Sequence, residues 1–170
     1  MKLFLTPNGR IDQPTYWRAV GILFLASAAI SVLGTFVHGF FGLFTFAVIW
    51  CWIAIHAKRF HDNGKSGAHM LWLILVAGVA NSVLGNVLPG LFGFDAAAYS
   101  QEISESMSSS PDFARMMELI NDAQKATIVP NILTTLITTG ILGGIMSLFK
   151  TDPNDNPYGP GPGGANDVFV

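Results

Sequence analysis

The chain has 170 residues, 51% hydrophobic and only 12% charged, where a soluble domain carries roughly 25% charged residues. That deficit excludes a disordered chain and argues against an ordinary water-soluble fold. A formal net charge of −2 leaves no basic footprint for nucleic acid, and a single cysteine, Cys51, excludes an intramolecular disulfide framework.

The apolar residues fall in four blocks. The first covers about residues 17–37 with Arg18 at its edge as the sole charge, enough helix to cross roughly 30 Å of hydrocarbon. Ala26-Ser27-Ala28 imitates a signal-peptidase site, but the apolar run continues through Ile30, Val32 and Leu33, so the segment is expected to be retained. The second block, about residues 40–57, holds Phe44, Phe46, Trp50, Trp52 and Ile55 and is stopped by Lys58. The third, about 70–92, carries Asn81 and Asn86, which are expected to face neighbouring helices, and Pro89, which bends or ends the last turn. The fourth, about 128–149, has Pro130 in its first turn, where a missing N–H costs little.

Backbone groups in hydrocarbon must bond within their own segment, and blocks of this length lack the alternation of barrel strands. The reading is therefore an all-α integral membrane four-helix bundle forming one domain over residues 1–150. Ser27 and Ser31, Gly78 and Ser82, and Gly140 and Gly144 are each four apart, spacing that sets each pair on one face for close helix packing or a dimer contact.

Orientation follows from the basic residues. With an inner N terminus, Lys2, Arg10, Arg18, Lys58, Arg59, Lys65 and Lys150 lie inside and only Arg115 and Lys125 outside, seven against two. Both termini are expected in the cytoplasm. The outer connection, residues 93–125, reads as short amphipathic helix: Phe113, Met116, Met117 and Ile120 recur behind a Ser110-Pro111 cap. A weaker helix begins at Asp95 with Tyr99, Ile103 and Met107 as its stripe, and Ser108-Ser109-Ser110 separates the two. Residues 151–170 are rich in Pro and Gly and read as an extended, flexible cytoplasmic tail. Asp152, Asn154 and Asn156 imitate a calcium loop, but Pro157 stands where its glycine is needed.

The densest chemistry lies between the second and third blocks, Lys58-Arg59-Phe60-His61-Asp62-Asn63-Gly64-Lys65-Ser66-Gly67, with Asn63-Gly64 a turn signal for a hairpin. Gly64-Lys65-Ser66 resembles the end of a phosphate-binding loop, but Arg59 occupies the place of its first glycine and no strand precedes it. His56, His61 and His69 match no metal-ligand spacing, so no metal or cofactor is expected. Asp62 is expected to pair with Arg59, Arg10 or a helix end.

Three segments, Gly9-Arg10-Ile11 with Tyr16-Trp17, Arg59 to Gly67, and Asn156-Pro157-Tyr158-Gly159-Pro160, resemble the domain of unknown function 805 family, the YhaH/YhaI-like small bacterial inner-membrane proteins. Phe60 stands where that family usually has leucine, and Ala68-His69 where aromatic residues usually follow. The resemblance implies a multi-pass location in the bacterial inner membrane and little chemistry. With the N terminus inside, all three segments share the cytoplasmic face. Arg10, Lys58, Arg59, His61, Asp62, Lys65 and Tyr158 are accordingly the candidate binding residues, in a polar cluster that serves as a structural clasp or as a site for anionic lipid or a protein partner. The leading function is structural or adaptor-like, without catalysis. The alternatives are an oligomeric transporter or channel, its pore lined by Thr134, Thr135, Thr138 and Thr139, and a membrane enzyme resting on His61 and Asp62. A partner membrane protein or a homo-oligomer is compatible with each.

Overall fold

The computed structural model describes residues 2–109 and 113–161. Six α-helices follow in chain order: α1 (Lys2–Leu5), α2 (Gln13–Phe36), α3 (Phe44–Asp62), α4 (Met70–Leu91), α5 (Ala96–Ser109) and α6 (Phe113–Ser147). Short 3-10 turns, Gly39–Leu43 and Gly67–His69, lead into α3 and α4. Among the described residues there is no strand, only a single bridge between Asn156 and Gly159. Four helical segments, Gln13–Phe36, Gly39–Asp62, Gly67–Leu91 and Phe113–Ser147, are long and apolar enough to cross a membrane.

Polar caps set the helix ends. The Asp12 carboxylate accepts the Thr15 N–H at 2.9 Å, so α2 starts before the apolar block does, with Pro14 in a first turn that needs no N–H there. Lys58 does not stop α3; the helix continues to Asp62 and carries Lys58, Arg59, His61 and Asp62 as buried residues of its last turns. It ends at Asn63-Gly64, where Gly64 adopts φ +70°. The N–H groups of Gly64 and Lys65 return to the carbonyls of His61 and Phe60 at 3.0 and 2.9 Å, satisfying two orphan acceptors. The same device closes α4: Gly93 sits at φ +83°, and Phe94 donates to the carbonyl of Pro89, which lies within the last turn.

The connection between α4 and the fourth span differs from expectation in its continuity. Asp95 caps α5 through the Ala97 and Ala98 N–H groups, both at 3.0 Å. The amphipathic segment and the fourth span then form one 35-residue helix, α6, so Pro130 lies in its interior and not in a first turn. At 1.5 Å per residue α6 is roughly 52 Å long and outruns the hydrocarbon by several turns. Pro130 is almost wholly buried, and neighbouring helices tolerate such a proline in a membrane helix better than water does. The Ser110-Pro111 cap lies outside the described residues.

The core gathers at one end of the bundle. Leu3, Ile11, Tyr16, Val20, Ile55 and Met146 are buried together there, while farther along the helices most large apolar side chains are exposed. Trp17 of α2 packs directly on Gly143 of α6, where a Cβ would overlap the indole. A Cβ added at the paired glycines Gly140 and Gly144, or at Gly78 on α4, would meet no other part of the described structure within 4 Å. Spacing by four shows that two residues share a face, not which face meets a neighbour. Asn81 and Asn86 likewise do not reach across to another helix; each amide donates to the carbonyl four residues back, at 2.8 and 2.6 Å.

Because Trp17 Nε1 is anchored on Ser147 Oγ at 3.1 Å, the indole has little freedom to move aside. Gly143→Leu is expected to destabilise the protein by about 1–3 kcal/mol, read as a lower melting temperature in detergent. Gly140→Leu, made into open space, should stay within about 0.5 kcal/mol of the parent, and equal losses from both would refute the contact.

Candidate functional site

At the packed end, Asp62 ties together three parts of the chain remote in sequence: the lead-in to α2, the end of α3, and the segment after α6. Its Oδ2 accepts from Arg59 Nη1 and from Thr151 Oγ1 at 2.7 Å, and its Oδ1 accepts from Arg10 Nη2 at 3.4 Å. Its backbone carbonyl takes the Asp152 N–H at 2.7 Å. The side chains of Arg10, Arg59 and Asp62 are 6%, 0% and 4% exposed. A charge so removed from water is tolerated only when paired and hydrogen-bonded.

Each arginine also gathers further oxygen acceptors, for which a planar five-donor fork is suited. Arg59 Nη2 donates to the Phe149 carbonyl at 2.6 Å, just past the end of α6, and Nη1 reaches Thr151 Oγ1 at 3.1 Å. Arg10 donates to the carbonyls of Asp152 at 2.5 Å and Asn154 at 2.8 Å. Residues 151–161, read from sequence as tail, therefore fold back over the end of the bundle. Asn156 adds a bond to the His61 carbonyl at 3.1 Å, and Asn63 donates to the Lys150 carbonyl.

The remaining candidates divide. His61 lies parallel to the Tyr158 ring at 3.9 Å, and its Nδ1–H donates to the Gly9 carbonyl at 3.1 Å, which spends that nitrogen's proton on structure. Gly67 suits this packing, since a Cβ there would lie a tight 3.1 Å from both the Ala57 Cβ and the His61 ring. Lys58 points elsewhere: it is buried, and its Nζ donates to the Leu3 carbonyl of α1 at 2.8 Å. Lys65 is half-buried with Nζ 4.4 Å above the Phe149 ring, a cation–π contact. Thus Arg10, Arg59, Asp62, His61 and Tyr158 meet as one cluster, with Lys58 and Lys65 at its margins. Sequence reasoning missed Thr151, the Phe149 carbonyl and the short helix α1, none of which a motif announces.

The three histidines near the hairpin serve different neighbours. Nδ1 of His56 faces the Trp52 carbonyl at 2.7 Å, so that nitrogen carries the proton. Its Nε2 then accepts from the fully buried Tyr16 hydroxyl at 3.2 Å. His69 lies against Phe60 and bonds the Ser66 carbonyl. Among the described residues no three His, Cys, Asp or Glu side chains gather as a metal site.

Asp152 is the half-buried acid that organises the returning segment. The Asn154 N–H, then the Asn156 amide, hold its carboxyl below the usual aspartate range, with a smaller contribution from the Arg10 charge. A depressed folded-state value means that the stabilisation is complete above the ordinary aspartate value, about 3.9, and is lost as pH falls through the folded one. Amide exchange of residues 151–161 should accordingly rise as pH drops below about 4, once corrected for intrinsic rates. Asp152→Asn should remove this step, and a pH-independent wild type would refute it.

Removing the hub has a larger consequence. Asp62→Asn leaves Arg59 buried without its counter-charge and should cost about 3 kcal/mol or more, read by melting in detergent. Asp62→Asn combined with Arg59→Met should recover part of that loss, whereas additive losses would show that the pair is not coupled.

Comparison with known proteins returns no match among curated proteins and none among solved structures. The family profile described as "Protein of unknown function (DUF805)" matches residues 4–160, nearly the whole length, and the chain belongs to that family.

Proposed function

We propose that this chain is a structural or adaptor-like protein of the bacterial inner membrane. Its clasped end faces the cytoplasm and binds anionic lipid headgroups. The observation that carries the reading is the division of the cations at that end. Arg59, Lys58 and Arg10 are spent on Asp62 and on backbone carbonyls. Arg18 and Lys150 are exposed around the clasp, and Lys65 is half-buried beside it. Held on a fixed frame, these three basic side chains suit a negatively charged surface, where each Lys or Arg contributes about 1 kcal/mol. The excess of basic residues at this end also supports the cytoplasmic orientation. An adaptor role follows from the same frame, because a rigid surface made of three segments is recognised without the entropy of ordering them first.

The triple variant Arg18→Gln, Lys65→Gln, Lys150→Gln tests this without touching the clasp. It should retain markedly less phosphatidylglycerol and cardiolipin after purification, with a loss of affinity for anionic nanodiscs on the order of 100-fold. Unchanged lipid retention in a variant that melts like the parent would overturn the headgroup reading. In a Cys51→Ala background, a Ser66→Cys thiol should react only from the cytoplasmic side; periplasmic labelling would overturn the orientation.

A further inference from the structure

The four spans pack unevenly. Joined by the tight turn at Asn63-Gly64, α3 and α4 meet beside the clasp, but α4 then packs chiefly on α6 and touches α3 only sparsely. A cavity of about 370 Å³ opens between α3, α4 and α6, within the size range of small-molecule sites. Its walls are mostly apolar: Trp52 and Ile53 from α3, Leu73 and Ala77 from α4, Leu142 from α6. Asn81 lies on its α4 side, about 16 Å along the helix from Met70, which places that end of the cavity near mid-membrane.

Polar groups in this lining are few, uncharged and incompletely used. Thr138 is 6% exposed and lines the cavity, and its hydroxyl has no hydrogen-bond partner among the described residues. Two other threonines of α6 behave differently: Thr127 and Thr135 return their hydroxyls to carbonyls four residues back, at 2.7 and 3.0 Å. An unspent hydroxyl away from water is costly, and native structures usually explain it by a missing partner. Asn81 commits one amide hydrogen to the Ala77 carbonyl; among the described residues the rest of that amide is uncommitted. His56, which also lines the cavity, has both ring nitrogens engaged by Tyr16 and Trp52 and adds no charge.

We infer that this cavity binds a neutral, bilayer-soluble molecule whose apolar body lies against Trp52, Ile53 and Leu73 and whose oxygen accepts a hydrogen bond from Thr138. A charged ligand would find no counter-ion in the lining, and a pure hydrocarbon would leave the hydroxyl unsatisfied. Rotation about the Thr138 side-chain bond brings the donor to the ligand, and the free part of the Asn81 amide offers a second contact. A quinone carbonyl and an isoprenoid alcohol share this chemistry. The site is separate from the clasp and does not depend on headgroup binding there.

The experiment titrates the full chain in nanodiscs with decylubiquinone, with farnesol, and with dodecane as the oxygen-free control. Binding is read from Trp52 emission, taken as the difference between wild type and Trp52→Phe. At least one oxygen-bearing probe should bind saturably, and which one does so identifies the carbonyl or the alcohol as the source. Thr138→Val, which keeps shape and removes the hydroxyl, should weaken that probe roughly tenfold while leaving the melting temperature unchanged or raised. Ala77→Phe should abolish binding by filling the space. Equal affinity in wild type and both variants, dodecane competing as well as either probe, or no saturable binding would each overturn the inference.

Discussion

The burial of the Arg59 guanidinium at the end of α3 is the constraint around which the packed end is arranged. Its side chain is fully withdrawn from solvent, and a lone charge in such a place would be prohibitively expensive. The chain answers with a carboxylate one turn on, a threonine hydroxyl, and the carbonyl that follows α6. Position helps, because a cation in the last turn of a helix meets the negative end of its dipole. Asp62 in the same turn opposes that dipole, so its placement is explained by the two arginines it serves and not by the helix that carries it.

Pairing the two Nη atoms of Arg59, whose Nε is left without a partner among the described residues, also dictates topology. The groups it needs come from the end of α6 and the segment beyond, and the second cation on Asp62 comes from the lead-in to α2. The N-terminal stretch, the α3–α4 hairpin and the returning segment must therefore meet at one end. Away from it, lipid can replace protein as the partner of apolar side chains, and the helices are free to diverge. The buried core at the clasp and the cavity farther along are two consequences of that arrangement: helices pinned together at one end, with a close α2–α6 approach at Gly143 and only sparse contact between α3 and α4.

How much of this was legible in the sequence depends on what each feature rests on. Spans are set by the transfer of whole segments out of water, a property of composition, and all four were readable from their apolar blocks. The start of α5 at Asp95 was readable too, because its cap is local. Helix ends fixed by longer-range satisfaction were not. Lys58 looked like a stop, yet α3 continues through it since Leu3, Asp62 and the returning segment supply partners for the charged turn. Pro130 looked like a first-turn residue, yet α6 runs on both sides of it because helix formation on its N-terminal side does not depend on hydrophobic length. The meeting of Arg10, Arg59, His61, Asp62 and Tyr158 followed from topology plus charge pairing, but Thr151 and the Phe149 carbonyl carry no motif.

The division of labour between the two kinds of cation follows from their hydration. Guanidinium is weakly hydrated, planar and always charged, and can take up several fixed acceptors at once; Arg10, holding several carbonyls and a carboxylate oxygen, and Arg59, holding one carbonyl and a carboxylate oxygen, occupy such places. Ammonium holds its water more tightly and offers a point charge on a flexible stem; Lys150 is exposed, and Lys65 rests its charge over an aromatic face. Arg18, exposed, and Lys58, buried, depart from this division, and the short bond from Lys58 to the Leu3 carbonyl ties α1 to α3. Cations already spent within the protein bring little further attraction to a headgroup, so the headgroup binding proposed above rests on the margin of the clasp and not on its centre.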